Sequence, residues 1–179
     1  MKVKISKLSA QQKQLVIDRV AQELAKLEVF YQREFPQPKL GFDLSGAAAG
    51  QFSLRRGEYL IRFNAAIFSR YFQENLNSTV AHEVAHLAVQ VLYPKRIDGR
   101  QRVLPHGRQW RALMALLEAE ASVCHKYDLS GLPLRKERRF VYRCDCQEHQ
   151  ISCRRHNKIQ ATRAQYLCRQ CGSGLRAIT

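Results

Sequence analysis

The sequence predicts an α+β protein, in which long helices pack on a small, mostly antiparallel sheet and a small zinc ribbon follows. Apolar residues recur at helical spacing in three segments, and two alternating segments flank a turn. Two cysteine pairs lie near the C-terminus. These observations predict a first domain at residues 1–136 and a ribbon at residues 137–179.

The first predicted helix begins at a capping box formed by Ser9 and Gln12 and extends to about Tyr31. Pro36 and Pro38 are expected to end it. Its apolar face comprises Leu15, Val16, Val20, Leu24 and Leu27.

Strands are predicted after this helix. Residues 39–45 alternate between apolar and polar side chains, as a half-buried strand does. A turn of small residues at 46–50 leads to a hairpin whose strands are residues 51–54 and 59–63.

Three helices are predicted after the hairpin. The first is short and covers residues 65–72. The second is expected to begin after Asn77 or Ser78, either of which could cap it, and to end near Tyr93. A basic loop follows, and then a long helix at residues 106–124. The apolar residues of that last helix are Trp110, Leu113, Met114, Leu117 and Ala121.

The second of these helices carries H-E-V-A-H at residues 82–86, an H-E-x-x-H motif. His82 and His86 share one helix face, so both imidazoles can bind one zinc ion. Glu83 can then take a proton from a zinc-bound water, which is the chemistry of metal-assisted hydrolysis, most often of a peptide bond. A chance spacing is the alternative, although burying these groups in an apolar segment without a metal would be costly.

A catalytic zinc usually takes three protein ligands and leaves a fourth position for water. His106 is the best candidate for the third ligand, because Trp110 follows one helical turn later and could hold it by packing. His106 could instead only cap the helix that it precedes. Less suitable candidates are His125, His149, His156 and the carboxylates Glu118 and Glu120.

The C-terminal cysteine pairs predict a second zinc site. Its candidate ligands are Cys144, Cys146, Cys168 and Cys171. Four thiolates would close the coordination shell, so this zinc would be structural and would explain how a segment with few large apolar residues folds. The first pair is spaced more tightly than in a usual ribbon, so His149 could replace one of its cysteines. Cys124 and Cys153 are expected to be buried thiols.

The formal net charge is +15, from 30 Lys and Arg against 15 Asp and Glu. This excess predicts a polyanionic partner, most simply nucleic acid, although a basic surface can also serve solubility alone. The charge is concentrated at residues 95–111, a stretch that includes the basic loop 95–105, and at residues 138–179. A basic hairpin is expected at residues 154–158, where Tyr142 and Tyr166 could either pack in the core or stack on bases.

The apolar segments are too short and interrupted to span a bilayer. The basic N-terminus lacks a following apolar region, so no signal peptide is expected. The protein is therefore expected to act in the cytoplasm, where cysteines bind metals more often than they form disulfides. We also expect a monomer.

Several motifs together resemble the SprT family, including its bacterial members. They are H-E-V-A-H at 82–86, P-H-G-R-Q-W at 105–110, Y-R-C-D-C-Q-E-H-Q at 142–150, R-R-H-N at 154–157 and C-R-Q-C-G at 168–172. Asn64 also lies where the family tends to have an asparagine. The family resembles the catalytic domain of Spartan, a DNA-dependent metalloprotease that degrades proteins crosslinked to DNA.

The resemblance implies a zincin-like metalloprotease domain with His82, His86 and His106 as ligands of a catalytic zinc. It implies that Glu83 is the general base. The ribbon and the basic surface would then engage DNA, preferably with single-stranded character.

Two functions of different classes are consistent with these features. The first is a zinc endopeptidase, stimulated by DNA, that acts on DNA-bound or DNA-crosslinked proteins. The second is a zinc-containing nucleic-acid-binding or regulatory protein without protease turnover. Glu83 favours the first, because a purely structural metal site does not need a base.

Overall fold

The computed structural model describes residues 8–94, 103–132 and 138–178. The chain divides into two compact units, Met1–Leu134 and Arg135–Thr179. Each unit combines helices with a small sheet, so the predicted α+β class is confirmed. The predicted boundary between residues 136 and 137 and most of the predicted basic loop lie outside the described residues. Within those residues, no helix combines the length and apolar character needed to cross a membrane.

The first helix, α1, covers Ala10–Tyr31. The Ser9 hydroxyl accepts from the backbone N–H of Gln12, and the Gln12 side chain accepts from the backbone N–H of Ser9, which confirms the capping box. Gln32, in the left-handed conformation with φ 49°, ends the helix before the prolines that were expected to end it. Leu15, which was predicted on the apolar face, is 44% exposed. The buried face of the helix begins at the next residue instead. That face comprises Val16, Val20, Leu24 and Leu27.

The first sheet has the strand order β1–β3–β2. Its strands are β1 (Lys39–Gly41), β2 (Gly50–Arg55) and β3 (Glu58–Phe63). The predicted hairpin of β2 and β3 is confirmed, and Arg56 and Gly57 form its turn with positive φ values. The sheet is mixed rather than mostly antiparallel, since β1 pairs in parallel with β3. Residues 42–49, part of which was predicted as strand, carry the chain to the far edge of the sheet.

Among the described residues of the first unit, four helices follow the hairpin. They are α2 (Ala65–Arg70), α3 (Phe72–Asn77), α4 (Thr79–Leu92) and α5 (Arg108–Leu116). The prediction of a single helix at 65–72 is therefore wrong, because the helical conformation is interrupted at Tyr71. Ser78 precedes α4, but its hydroxyl donates to a carbonyl of α3 and does not cap α4. α5 is shorter than the predicted 106–124, since Glu118 adopts a φ of 54° and the chain leaves the helix.

The hydrophobic core of the first unit surrounds α4, which contacts α1, α3, α5 and β2. Eight residues of α4 are buried, namely Val80, Ala81, Glu83, Val84, Ala85, Leu87, Ala88 and Val89. His82 and His86 are only partly buried. Packing on several sides thus fixes the helix and leaves one face for the two imidazoles.

The second unit contains a sheet and one helix. Its elements are β4 (Arg139–Arg143), β5 (Glu148–Ser152), α6 (Cys153–Gln160) and β6 (Arg176–Ala177), and β4 pairs antiparallel with both other strands. The hairpin predicted at residues 154–158 is wrong, because this segment lies in α6. His156 of α6 stacks on Phe140 of β4 at a centroid distance of 3.6 Å, and this contact holds the helix against the sheet.

Candidate metal sites

Three imidazoles converge in the first unit. His82 and His86 project from α4, and His106 lies in the turn before α5. Their Nε2 atoms are 3.1 to 3.2 Å apart in all three pairs. Nitrogen ligands about 2.0–2.1 Å from a tetrahedral zinc ion lie about 3.3 Å from one another. The three nitrogens therefore match one face of a zinc coordination tetrahedron, although their chemistry would also suit related divalent metals.

Trp110 packs against all three imidazoles. Its ring centroid lies 4.8 Å from that of His82, 5.8 Å from that of His86 and 4.8 Å from that of His106. Trp110 is fully buried, so α5 fixes these rings through a side chain that cannot move freely. The structure does not support His106 as the cap of α5. Gly107 is the N-cap residue, and no side-chain hydrogen bond caps the helix there.

The protonation state of the imidazoles suits metal binding. Burial, with the nearby His106, lowers the pKa of His82 to about 4. Burial, with the other two histidines, lowers the pKa of His86 to about 3. Burial also lowers the pKa of His106. All three rings are therefore neutral near pH 7, and a neutral imidazole is the form that binds a metal ion.

Ser122 lines the same cavity as His82. A hydrogen bond with the Ser122 backbone raises the pKa of His82 and so opposes part of the lowering caused by burial. The sequence analysis did not identify Ser122. It contributes through its backbone, which every residue type has, so the sequence does not single it out.

Glu83 is 5% exposed and lies between α4 and β2. Burial raises the pKa of its carboxyl to about 8, while a hydrogen bond from the backbone N–H of Phe52 opposes this shift. A divalent cation nearby would favour the ionised form. Glu83 and His82 line the same cavity, so the carboxylate faces the space next to the imidazoles.

Gly50, at the start of β2, makes room for Glu83. A Cβ atom at this position would lie 2.6 Å from the Oε1 of Glu83 and 2.8 Å from the Cγ2 of Thr79. Any larger residue would displace the carboxylate or the first turn of α4. The sequence assigned Gly50 only to a turn, although a glycine at the start of a strand can mark a close approach.

Asn64 holds the loop between β1 and β2. Its carbonyl oxygen accepts from the backbone N–H groups of Ala66 and Ile67 and so caps α2. Its amide donates to the carbonyls of Gly46 and Ala48 at 2.9 and 3.3 Å. The asparagine singled out by the resemblance therefore shapes one wall of the site without reaching the imidazoles.

A cavity of about 1010 Å³ adjoins His82, one of the three imidazoles. Its floor includes Thr79, His82 and Glu83 of α4. Residues 47–50 form one wall and residues 122–127 form another. The arrangement leaves room for an extended chain beside the imidazoles.

The other sequence candidates lie outside the histidine cluster. Among the described residues, that cluster contains only His82, His86 and His106. His125 lies 2.8 Å from the carbonyl oxygen of Ala47, and Glu120 lines the cavity without joining the cluster. Cys124 is exposed, so the expectation of a buried thiol is wrong for this residue, and Cys153 is half-buried.

Four thiols converge in the second unit. They belong to Cys144, Cys146, Cys168 and Cys171, and their sulfur atoms all lie within 4.8 Å of one another. The sulfur of Cys146 lies 3.4 Å from that of Cys144 and 3.7 Å from that of Cys168. Tetrahedral zinc with Zn–S bonds of about 2.3 Å separates its sulfur ligands by about 3.8 Å. The donor set and spacing fit a closed, structural site.

His149 lies beside this cluster. Its Nε2 is 3.2 Å from the sulfur of Cys144, which is close enough for an N–H donor to a thiolate. The four sulfurs complete a tetrahedral set without the imidazole. The structure thus brings the four cysteines together and places His149 beside Cys144, outside that cluster.

The second unit also contains a basic cavity of about 420 Å³. Its lining residues are Arg139, Ser152, Arg154, Arg155, Lys158 and Tyr166. The guanidinium of Arg155 lies over the half-buried Tyr166 ring at 5.6 Å. Tyr142, in contrast, is 1% exposed and bonds through its hydroxyl to His156, so it is a core residue. An anion with an attached flat ring would suit the charge and the exposed aromatic surface.

Comparison with known proteins gives a consistent result. The model of the SprT-like family matches residues 20–129. A relative named Protein SprT, from Actinobacillus succinogenes, is 36% identical over 156 residues, which is 87% of this chain and 85% of the relative. Protein SprT from Escherichia coli O1:K1 is 34% identical over 174 residues, which is 97% and 98% of the two chains. No solved structure matches the chain.

Proposed function

Since this chain belongs to the SprT-like family, which suggests a metalloprotease-like domain, we propose that it is a zinc-dependent endopeptidase. We propose further that DNA stimulates it and that it acts on DNA-bound or DNA-crosslinked proteins. The observation that carries the proposal is the buried carboxylate of Glu83, which lines the same cavity as His82 of the imidazole cluster. A purely structural metal site has no use for such a base.

The two candidate metal sites support different roles. Three imidazoles leave a coordination position open for water or substrate, whereas four thiolates close theirs. We therefore assign one catalytic zinc to His82, His86 and His106 and one structural zinc to the cysteine cluster. The protein would work as a monomer in the cytoplasm.

Zinc bound by the three histidines would act as a Lewis acid toward the peptide carbonyl and lower the pKa of water to about 7. Glu83 would accept the proton of the attacking water and pass it to the leaving amine. The hydrogen bond from the backbone N–H of Phe52 lowers the pKa of Glu83 and would therefore favour the ionised carboxylate that accepts this proton.

β2 is the element best placed to hold the substrate. It is an edge strand of the first sheet, and its first residue lines the cavity. An extended peptide could pair with its outer edge by strand addition, which would lay the scissile bond beside the imidazoles. This docking mode completes a zincin-like arrangement.

The replacement of Gly50 by alanine tests how Glu83 is positioned. The added Cβ would meet the Glu83 side chain at 2.6 to 2.7 Å and force it to shift. Small displacements of a catalytic group are costly, so we expect kcat/KM for peptide cleavage to fall by roughly 10- to 100-fold, with zinc content unchanged. Gln51→Ala, on the exposed next residue of β2, should retain activity. Full activity of the Gly50 variant would contradict this account of the base.

The basic charge supports DNA as the partner. The chain carries a net charge of +15, and the ribbon provides a basic cavity next to an accessible tyrosine ring. Phosphate contacts would supply affinity, while the Tyr166 ring could stack on a base of a single strand.

Arg154→Gln is expected to weaken DNA binding without altering metal content. Arg154 is exposed and lines the basic cavity, so its loss should remove about one phosphate contact. The slope of log affinity against log salt should decrease by about 0.7 on single-stranded DNA, equally for different sequences. Titrations at several salt concentrations measure this slope. Arg169→Gln, an exposed arginine outside that cavity, is the control, and equal effects of both variants would contradict a localised site.

Cleavage of a protein crosslinked to DNA tests the function as a whole. The zinc-loaded chain should cleave this substrate faster when single-stranded DNA is added. A nucleic-acid-binding or regulatory protein without turnover is the alternative. It would be favoured if DNA and zinc bound normally but no substrate were cleaved under any condition.

A further inference from the structure

A side chain crosses the cavity that His82 and Glu83 line. It belongs to His125, which is part of an irregular segment after α5, residues 120–130, here called the lid. The lid forms one wall of the cavity, and Ala47 belongs to the opposite wall. The Nε2 of His125 lies 2.8 Å from the carbonyl oxygen of Ala47. One imidazole thus joins two walls that are distant in the sequence.

The contacts of His125 indicate which of its nitrogens carries the proton. The backbone N–H of Tyr127 donates to Nδ1 at 3.4 Å, so Nδ1 is an acceptor. In a neutral imidazole the other nitrogen, Nε2, then carries the proton and donates it to the Ala47 carbonyl. This hydrogen bond from the lid to the opposite wall is here called the latch.

The C-terminal end of the lid is attached more extensively. Tyr127 stacks on Tyr71, with ring centroids 4.3 Å apart and planes 8° apart. The Tyr71 hydroxyl donates to the carbonyl of Asp128 at 2.7 Å, and Arg70 donates to the carbonyl of Ser130 at 2.6 Å. A stack and two hydrogen bonds therefore anchor this end, whereas the latch is a single hydrogen bond.

The lid contains no helix or strand that opening would disrupt. His125, Tyr127 and Leu129 are half-buried, and the residues between them are exposed. Such alternation is typical of an extended chain that lies with one side on the protein. Release of the latch would therefore let the lid move about its anchored end at the cost of few contacts.

Ala47 lies on the path proposed for the substrate. β2 begins at Gly50, three residues after Ala47, and is an edge strand. A chain that pairs with this edge and continues along residues 47–50 would bring its main-chain N–H groups to the carbonyls of that wall. The imidazole of His125 already donates to the carbonyl of Ala47. The lid and the substrate would thus compete for one acceptor.

We propose that the latch is an autoinhibitory contact, in which His125 keeps the lid closed until the main chain of a substrate displaces it from the Ala47 carbonyl. The substrate N–H replaces the lost donor, so the wall keeps its hydrogen bond when the lid opens. A chain without the latch would spend more time open and would cleave faster. The effect on cleavage rests on the proposed peptidase, whereas the mobility of the lid does not.

Two substitutions of His125 separate its donor from its ring. His125→Phe keeps a ring that can stack on Tyr127, as the imidazole does at a centroid distance of 4.6 Å, but it has no donor for Ala47. His125→Gln carries an amide N–H near the position of Nε2 and should retain the latch. Lys126→Gln, which changes an exposed neighbour on the lid, is the control.

The mobility of the lid is measured by ¹⁵N relaxation in the zinc-loaded full chain. In His125→Phe, the backbone order parameters of residues 122–126 should fall from about 0.85, typical of rigid backbone, to below about 0.6. The same variant should cleave the DNA-crosslinked protein with a kcat/KM about 2- to 10-fold higher, the ratio that the net contribution of one hydrogen bond gives. His125→Gln and Lys126→Gln should match the wild type in both measurements.

A merely structural role of His125 would give the opposite sign, because a damaged cavity lowers turnover. Slower cleavage by His125→Phe with normal zinc content would therefore overturn the proposal, as would unchanged order parameters or an unchanged rate. Equal changes in His125→Phe and His125→Gln would show that the hydrogen bond does not close the lid. If His125→Phe does not fold, His125→Ser, which fits within the space of the imidazole, replaces it. A lid that becomes mobile in a chain that never cleaves protein would contradict the proposed peptidase alone.

Discussion

Glu83→Gln is expected to abolish proteolysis while both metal sites stay occupied. Glutamine has nearly the same shape as glutamate but cannot accept the proton of the attacking water, and general bases contribute roughly 10²- to 10⁴-fold. Residual cleavage of a DNA-crosslinked protein should therefore be at least about 100-fold slower. The assay is single-turnover cleavage, combined with measurement of zinc content.

The matched control for this variant is Glu120→Gln. Glu120 lines the same cavity but is outside the histidine cluster, so its loss should leave both cleavage and zinc content close to wild type. Equal loss of activity in both variants would indicate a general electrostatic effect of the cavity. Undiminished cleavage by Glu83→Gln would contradict the assigned base. Loss of zinc from this variant would show that the carboxylate also stabilises the metal.

Sequence reasoning succeeded where a pattern is local. The spacing of His82 and His86 places them on one face of any helix, and the capping box at Ser9 involves neighbours only. The hairpin turn was likewise indicated by Gly57, because glycine adopts the positive φ that a tight hairpin turn needs. These features could be predicted because one element determines them.

The predictions that were wrong concern features that depend on contacts between segments distant in the sequence. The helical pattern after Trp110 continues to Ala121, but Glu118 leaves the helix and the chain continues as an irregular segment over residues 120–130. The Phe140–His156 stack holds a helix where the cysteine spacing suggested a hairpin. Ribbon-like cysteine spacing predicts which cysteines come together but not the conformation of the chain between them.

The residues that shape the histidine site also could not be predicted from the sequence, because they are distant from the motif. Gly50 lies 33 residues before Glu83 and leaves room for its side chain, and Ser122 lies 39 residues after Glu83 and lines the same cavity. Neither contact is encoded by a side-chain type near the motif. The convergence of the three histidines could thus be predicted from the sequence, whereas the residues that surround them required the structure.

Cys168→Ser is expected to unfold the second unit and remove most DNA binding while the first unit stays folded. Among the described residues of the second unit, the buried apolar side chains are Tyr142, Cys144, Ile151 and Cys168. So small a core cannot offset the conformational entropy of the chain, and structural zinc supplies about 10–16 kcal/mol in comparable zinc-finger peptides. Serine at a buried ligand position removes one thiolate and leaves an open site.

Two measurements separate this outcome from general damage. Amide NMR spectra should lose the dispersed signals of the second unit and keep those of the first, and zinc content should fall from two ions to one. Cys153→Ser, which changes a half-buried thiol outside the cluster, should alter neither the spectra nor DNA affinity. If Cys168→Ser kept an ordered ribbon and full DNA affinity, the metal would not be structural. If it lost the ribbon but bound DNA normally, the basic surface of the first unit would be the DNA contact instead.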